Sequence, residues 1–86
     1  MLTPIEVKTT KGTETLHRTR NDVNGNPRYI IGFMAVNRLT GSNGYDEAKK
    51  AVKSIGGRVY RGKPYGGGFV FQSYSLENDL EHLINS

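Results

Sequence analysis

The chain has no cysteine. That single absence removes a disulfide framework, a thiolate metal site and a cysteine nucleophile together, and nothing else in the sequence points to an oxidising compartment. Long apolar runs are lacking too. No stretch approaches the roughly 20 residues of a membrane helix, and Met1-Leu2-Thr3-Pro4-Ile5-Glu6-Val7-Lys8 lacks the basic-then-apolar order of a signal peptide. A soluble, cytoplasmic protein with no membrane partner is the expectation. Histidine is scarce: His17 and His82 lie far apart, without helical His-x-x-x-His spacing, so no metal is expected. A Gly-x-Ser-x-Gly elbow, a P-loop and a dinucleotide fingerprint are all missing. Asp46 and Glu47 are adjacent rather than opposed, which suits a helix N-terminus better than acid-base chemistry. No catalytic residue and no cofactor follow, and the chain reads as a non-enzyme. His17 alone keeps the option of proton donation through long-range contacts.

What is present is small and basic. The 86 residues make one domain spanning 1–86, in a size class that buries about 60% of the unfolded chain's surface. No repeat, low-complexity tract or linker divides it. Twelve Lys and Arg against eight Asp and Glu leave a net charge of +4, which favours polyanionic partners. The charge is unevenly spread. Residues 1–72 hold all twelve bases and five acids, a net of +7, whereas residues 73–86 hold Glu77, Asp79 and Glu81 and no base, a net of −3.

In chain order, Ile5-Glu6-Val7-Lys8 alternates as a short strand, so residues 1–12 form an edge strand or an ordered tail ending in a turn at Gly12. Thr13–Arg20 reads as a strand with one wet face. Asn24-Gly25 is the strongest turn signal, of the kind that takes the two positive φ angles of a type I′ hairpin. Tyr29–Val36, apolar on both faces of its alternation, reads as a central strand with Pro27 confined to its start, and 37–44 as a polar loop. Tyr45, Ala48, Ala51, Val52 and Ile55 then share one helical face, and Gly56 suits the left-handed residue that ends the helix. Arg58–Arg61 and Gly68–Tyr74 form a second hairpin. Ser75 is placed to cap a last helix, 76–85, with Leu76, Leu80, Leu83 and Ile84 as its apolar stripe. The fold class is α+β in the order β-β-α-β-β-α, a mostly antiparallel sheet with both helices on one face.

One stretch concentrates the unusual residues. Between Gly56 and Tyr74 stand six of the eleven glycines, three of the twelve bases and three of the five tyrosines. Gly66-Gly67-Gly68 precedes a strand, so no helix dipole backs it for an anion. The triplet serves either hairpin geometry or a flat surface open to a sugar-phosphate backbone or a partner chain. Around it Arg58, Tyr60, Arg61, Lys63 and Tyr65 interleave cations with stacking groups, and Arg18, Arg20 and Arg28 sit on the first hairpin. Guanidinium groups grip phosphate in a fork and tyrosines stack on unpaired bases. These eight residues are the candidate binding site. No RNA-recognition signature, helix-turn-helix or zinc-finger spacing accompanies them.

The blocks from Arg18 to Tyr29, from Gly56 to Lys63 and from Gly66 to Tyr74 resemble those of short proteins encoded by phages, prophages and plasmids. The resemblance carries no residue role. It implies a context in which small proteins serve as nucleic-acid accessories or as inhibitors of host defence, anti-CRISPR proteins among them. Two functions of different class therefore stand. One is binding of nucleic acid or a nucleoprotein complex through the Arg/Lys/Tyr hairpins. The other is stoichiometric inhibition of a host protein by direct contact, with the acidic helix around Glu77, Asp79 and Glu81 facing a basic groove or imitating nucleic acid. Either acts in the host cell cytoplasm, and the strand edges of so small a sheet suit a homodimer.

Overall fold

Thr3–Thr9 (β1) and Gly12–Thr19 (β2) pair antiparallel across the two-residue turn Thr10-Lys11. The computed structural model describes residues 2–86. Arg28–Gly32 (β3) follows β2, then the helices Phe33–Thr40 (α1) and Gly44–Val52 (α2) with a 3₁₀ turn at Lys53–Ile55. Arg58–Tyr60 (β4), Gly68–Gln72 (β5) and the helix Leu76–Asn85 (α3) complete the chain. The five strands make one antiparallel sheet in the order β1-β2-β3-β5-β4. The α+β class holds, and β1 is an edge strand.

The helix α1 corrects the sequence reading. The strand expected over Tyr29–Val36 stops at Gly32, and Phe33–Thr40 is helical, taking in half of the expected 37–44 loop. The cause is spacing: Ala35, Val36 and Leu39 are buried together with Phe33 packed beside them, which a helical turn allows and strand alternation does not. Gly41 ends the helix at φ 75°, its N–H donating to Asn37 O at 2.8 Å. The expected order β-β-α-β-β-α thus gains the edge strand in front and one helix in the middle.

A second correction concerns the turn at Asn24-Gly25. Only Gly25 has positive φ, so the type I′ geometry is not formed. Asp22 organises the loop instead. Its Oδ1 accepts from the N–H groups of Asn24 and Asn26 at 2.8 and 2.9 Å, and Oδ2 from Asn26 Nδ2 at 3.0 Å. The backbone bond from Asn26 is the main reason the Asp22 carboxyl titrates below the usual carboxylate range. With the folded value depressed, the order these bonds confer is complete above the ordinary carboxylate pKa and is lost as pH falls through the lowered one. Amide resonances of Asn24 and Asn26 followed in acid will show a midpoint below that of an unstructured Asp; a midpoint at the ordinary value would mean the bonds are not made.

At the other helix ends Gly56 and Glu47 suit their positions, whereas Ser75 does not cap through its side chain. Gly56 closes the 3₁₀ turn at φ 78°. Glu47 reaches back to accept from Asn43 N at 2.8 Å, which accounts for an acid in the first turn of α2. Ser75 occupies the N-cap of α3, but its carbonyl rather than its hydroxyl is used, accepting from Asp79 N at 3.0 Å.

All three helices lie on one face of the sheet. Val7, Leu16, Ile31, Phe69 and Phe71 meet Val36, Leu39, Ala48, Val52, Leu80 and Leu83 there in a single core. Tyr45 stacks on Phe69 at 5.4 Å between ring centres, with Phe33 edge-on at 5.9 Å. The buried Glu14, its side chain 8% exposed, is met by Arg38 of α1 through two hydrogen bonds of 3.1 and 2.8 Å. Glu81 of α3 ties down the β1–β2 turn, accepting from Thr10 N at 2.8 Å and Thr10 Oγ1 at 2.9 Å.

Candidate nucleic-acid interface

Among the described residues, the opposite face of the sheet carries no helix. Strand alternation assigns it Pro4, Glu6 and Lys8 on β1; Thr13, Thr15, His17 and Thr19 on β2; Arg28, Ile30 and Gly32 on β3; Gly68, Val70 and Gln72 on β5; Arg58 and Tyr60 on β4. One row crosses the whole sheet as Pro4, His17, Ile30, Val70 and Arg58. Ile30 is fully buried yet stands outside the helix-side core, so something covers it.

The cover is Tyr65, from the loop that joins β4 to β5. Its hydroxyl lies 2.7 Å from His17 Nδ1 and donates to Ile30 O at 3.2 Å, and the two rings meet edge-on at 5.3 Å. A Cβ on Gly32 would lie 3.1 Å from the Tyr65 ring, so glycine there leaves the ring room to lie close to the sheet. Burial pushes the phenol pKa up. Tyr65 is thereby a fastener for the 61–67 loop. Tyr65→Phe keeps the ring but loses both polar contacts, at about 1 kcal/mol; denaturant unfolding will register that loss, and amide exchange will be faster through 61–67.

The eight candidate residues divide. Arg28, Arg58, Tyr60 and Tyr65 gather at the uncovered face, with Arg61 and Lys63 on the loop that crosses it. Arg58, Arg61 and Lys63 are exposed; Arg28 is half-buried, with Nε donating to Arg20 O at 3.1 Å. The Tyr60 hydroxyl donates to Lys63 O at 3.2 Å, shaping the loop. Arg18 belongs to the other face: it lies over the Tyr29 ring at 5.4 Å, with Nε donating to Thr19 O at 3.1 Å and Nη2 donating to Asn21 Oδ1. Arg20 is exposed beyond the end of β2. Among the described residues the single ion pair is Arg38–Glu14, so the cations of the uncovered face have no acid within salt-bridge distance.

Gly66 and Gly67 of the glycine triplet lie where two grooves meet. One, of about 430 Å³, runs between Phe33, Met34 and Ala35 on one side and Pro64 and Tyr65 on the other, with Arg38 at its margin; Met34 is 62% exposed there. The other, of about 390 Å³, lies among Tyr45, Val59, Tyr60 and Arg61. Gly66 and Gly67 border both. A Cβ at Gly67 or Gly68 would lie 3.1 Å from Phe33 or Tyr65 respectively, a tight approach that glycine avoids. Gly66 has neither a crowded Cβ nor a positive φ, so local geometry gives no reason for glycine at that position.

The family model of the Staphylococcus phage terminal repeat-encoded protein TreK matches residues 6–86. The chain belongs to this family. No curated protein and no solved structure matches it. The TreK match runs from within β1 to the end of α3, so it takes in all eight candidate residues and both grooves. The phage origin read from the sequence blocks is thereby shown.

The structure adds Tyr74 to the candidate residues. It is 75% exposed two residues beyond the end of β5, and its hydroxyl donates to Asn26 Oδ1 beside the start of β3. The sequence signal is alternation, which continued past Val70 and Gln72 reaches Tyr74. Among the described residues no three His, Cys, Asp or Glu cluster to hold a metal, and no helix is long and apolar enough to cross a membrane.

Proposed function

We propose that this phage protein is a non-enzymatic nucleic-acid-binding module of the host cell cytoplasm that lays a strand, free or within a nucleoprotein, across the uncovered face of its sheet. One observation carries the reading. The helices pack on one side of the sheet; the other side carries Arg28 and Arg58, Arg61 and Lys63 are exposed on the β4–β5 loop and Tyr74 just after β5, and none of the four cations has an acid within salt-bridge distance. A half-open antiparallel sheet needs a hydrophobic face only toward its core, so cations on the far face and an exposed aromatic after β5 are not required by folding. Cations spaced over a sheet suit the repeating charge of a phosphate backbone, and an exposed ring suits an unpaired base. Tyr60 and Tyr65 contribute by holding the loop that carries Arg61 and Lys63.

Titration against single- and double-stranded DNA and RNA at several salt concentrations tests it. Four phosphate contacts to a single strand give a log–log salt slope of roughly −3, or about a 50-fold loss of affinity between about 50 and 200 mM salt. Absence of binding at low salt removes the reading.

The anti-defence alternative has one observation in its favour. The groove holding Met34 is lined mainly by apolar and aromatic groups and fits a protein side chain better than a phosphate. The acidic helix supports it less, because Glu81 is engaged by Thr10. Recovery of a host protein from nuclease-treated lysate, undiminished by loss of the four cations, would favour this alternative.

A further inference from the structure

Among the described residues, the sheet order leaves the outer side of β1 without a neighbouring strand over its seven residues. Which residues offer their backbone to that side follows from two features. Pro4 has no N–H, and on an edge strand proline takes a position whose N–H faces away from the ladder. The two-residue turn closes on the pair Thr9 and Gly12, which bond to each other, so by the alternation of an antiparallel ladder Val7 and Ile5 also bond inward. Both arguments give the same parity. Glu6 and Lys8 therefore turn N–H and C=O outward, and both are exposed.

An edge with these properties can accept a second copy of itself in only a few registers. A two-fold axis at Glu6 sets Glu6 against Glu6, and one at Lys8 sets Lys8 against Lys8, each a like-charge pair at cross-strand distance. An axis at Ile5 sets Glu6 against Pro4, which has no N–H to give. An axis at Val7 opposes Glu6 of each copy to Lys8 of the other, makes these the hydrogen-bonded pairs, and places Pro4 beyond the paired segment. Charge, backbone parity and proline position agree on this register alone.

We propose that β1 is a self-recognition edge through which two copies pair antiparallel about a two-fold axis at Val7, Glu6 of each facing Lys8 of the other. The axis stands perpendicular to the sheet, so two five-stranded sheets join into one and their uncovered faces emerge on the same side. The charges that attract in this register repel in the Glu6- and Lys8-centred ones, which guards the edge against indiscriminate pairing. Only two hydrogen-bonded residue pairs cross the axis, so the dimer is weak and concentration-dependent.

Sedimentation equilibrium on the full chain over a wide concentration range tests the proposal, with circular dichroism to verify folding of each variant. The native chain will self-associate. Glu6→Lys and Lys8→Glu will each weaken association on the order of tenfold, since symmetry makes every substitution count twice. The double variant E6K/K8E will regain the native affinity to within a few-fold. A monomer at every concentration, single variants that associate as the native chain does, or a double variant that fails to recover would each overturn it.

Discussion

Glutamine at Arg28, Arg58, Arg61 and Lys63 together will flatten the salt dependence of nucleic-acid binding, changing the log–log slope by roughly 3 and removing most of the affinity at about 50 mM salt. The four are chosen by position rather than by charge alone: two lie on the uncovered sheet face and two on the loop across it. A control of similar charge sits elsewhere. Lys49, Lys50 and Lys53 are exposed on α2 and the 3₁₀ turn, on the helix side of the sheet. Their replacement by glutamine will leave the slope nearly unchanged if binding is local to the face. It will change the slope almost as much as the fourfold variant if net charge alone is responsible. Tyr74→Ala separates stacking from charge: it will cost about 1 to 3 kcal/mol with a single strand and leave the slope alone. Equal losses with duplex and single strand would count against a stacking role for Tyr74.

Much of the fold was legible where one local signal dominated. Alternation alone sets Phe69, Phe71 and Ser73 on one side of the chain, and all three are buried. The α3 stripe of Leu76, Leu80, Leu83 and Ile84 was equally clear at helical spacing. Phe33–Val36 was not, because four residues with apolar side chains satisfy either period. The burial of Ala35 with Leu39 requires the helix, but Leu39 lay in what read as a polar loop. At Asn24-Gly25 the dipeptide preference was overridden by Asp22, a residue two positions earlier whose carboxylate binds three donors.

The candidate site was legible as composition and not as geometry. Arg18 and Arg28 looked equivalent on one hairpin, yet the register pairs Arg18 with Tyr29 and Thr19 with Arg28, which places the two arginines on opposite faces. No local pattern contains that register. Tyr65 looked like a stacking group among cations, but its partners His17 and Ile30 lie 48 and 35 residues away, and only the folded sheet brings them under its ring. Arg61 and Lys63 owe their place to that long-range fastening.

The same stretch also carries a large stability effect, at Gly57 rather than at the triplet. Gly57→Ala will destabilise the domain by about 1 to 3 kcal/mol. A Cβ there would lie 2.7 and 2.9 Å from the two Val52 methyls and 2.9 Å from the Val52 carbonyl oxygen. That oxygen already accepts from Gly57 N at 2.9 Å, so the backbone cannot retreat without losing the bond that follows the helix end. Val52 is itself fully buried against the core. Two nearby glycines set the scale. Gly56→Ala meets no atom but must hold φ near 78°, at about 1 kcal/mol. Gly66→Ala meets neither obstacle and will stay within about 0.5 kcal/mol. Against a total of about 4 to 13 kcal/mol for a domain of this length, the ranking is measurable by denaturant midpoint at constant slope. If Gly57→Ala unfolds with the Gly66→Ala variant, the 3₁₀ turn yields to the methyl group and the tight join between α2 and β4 is not a stability determinant.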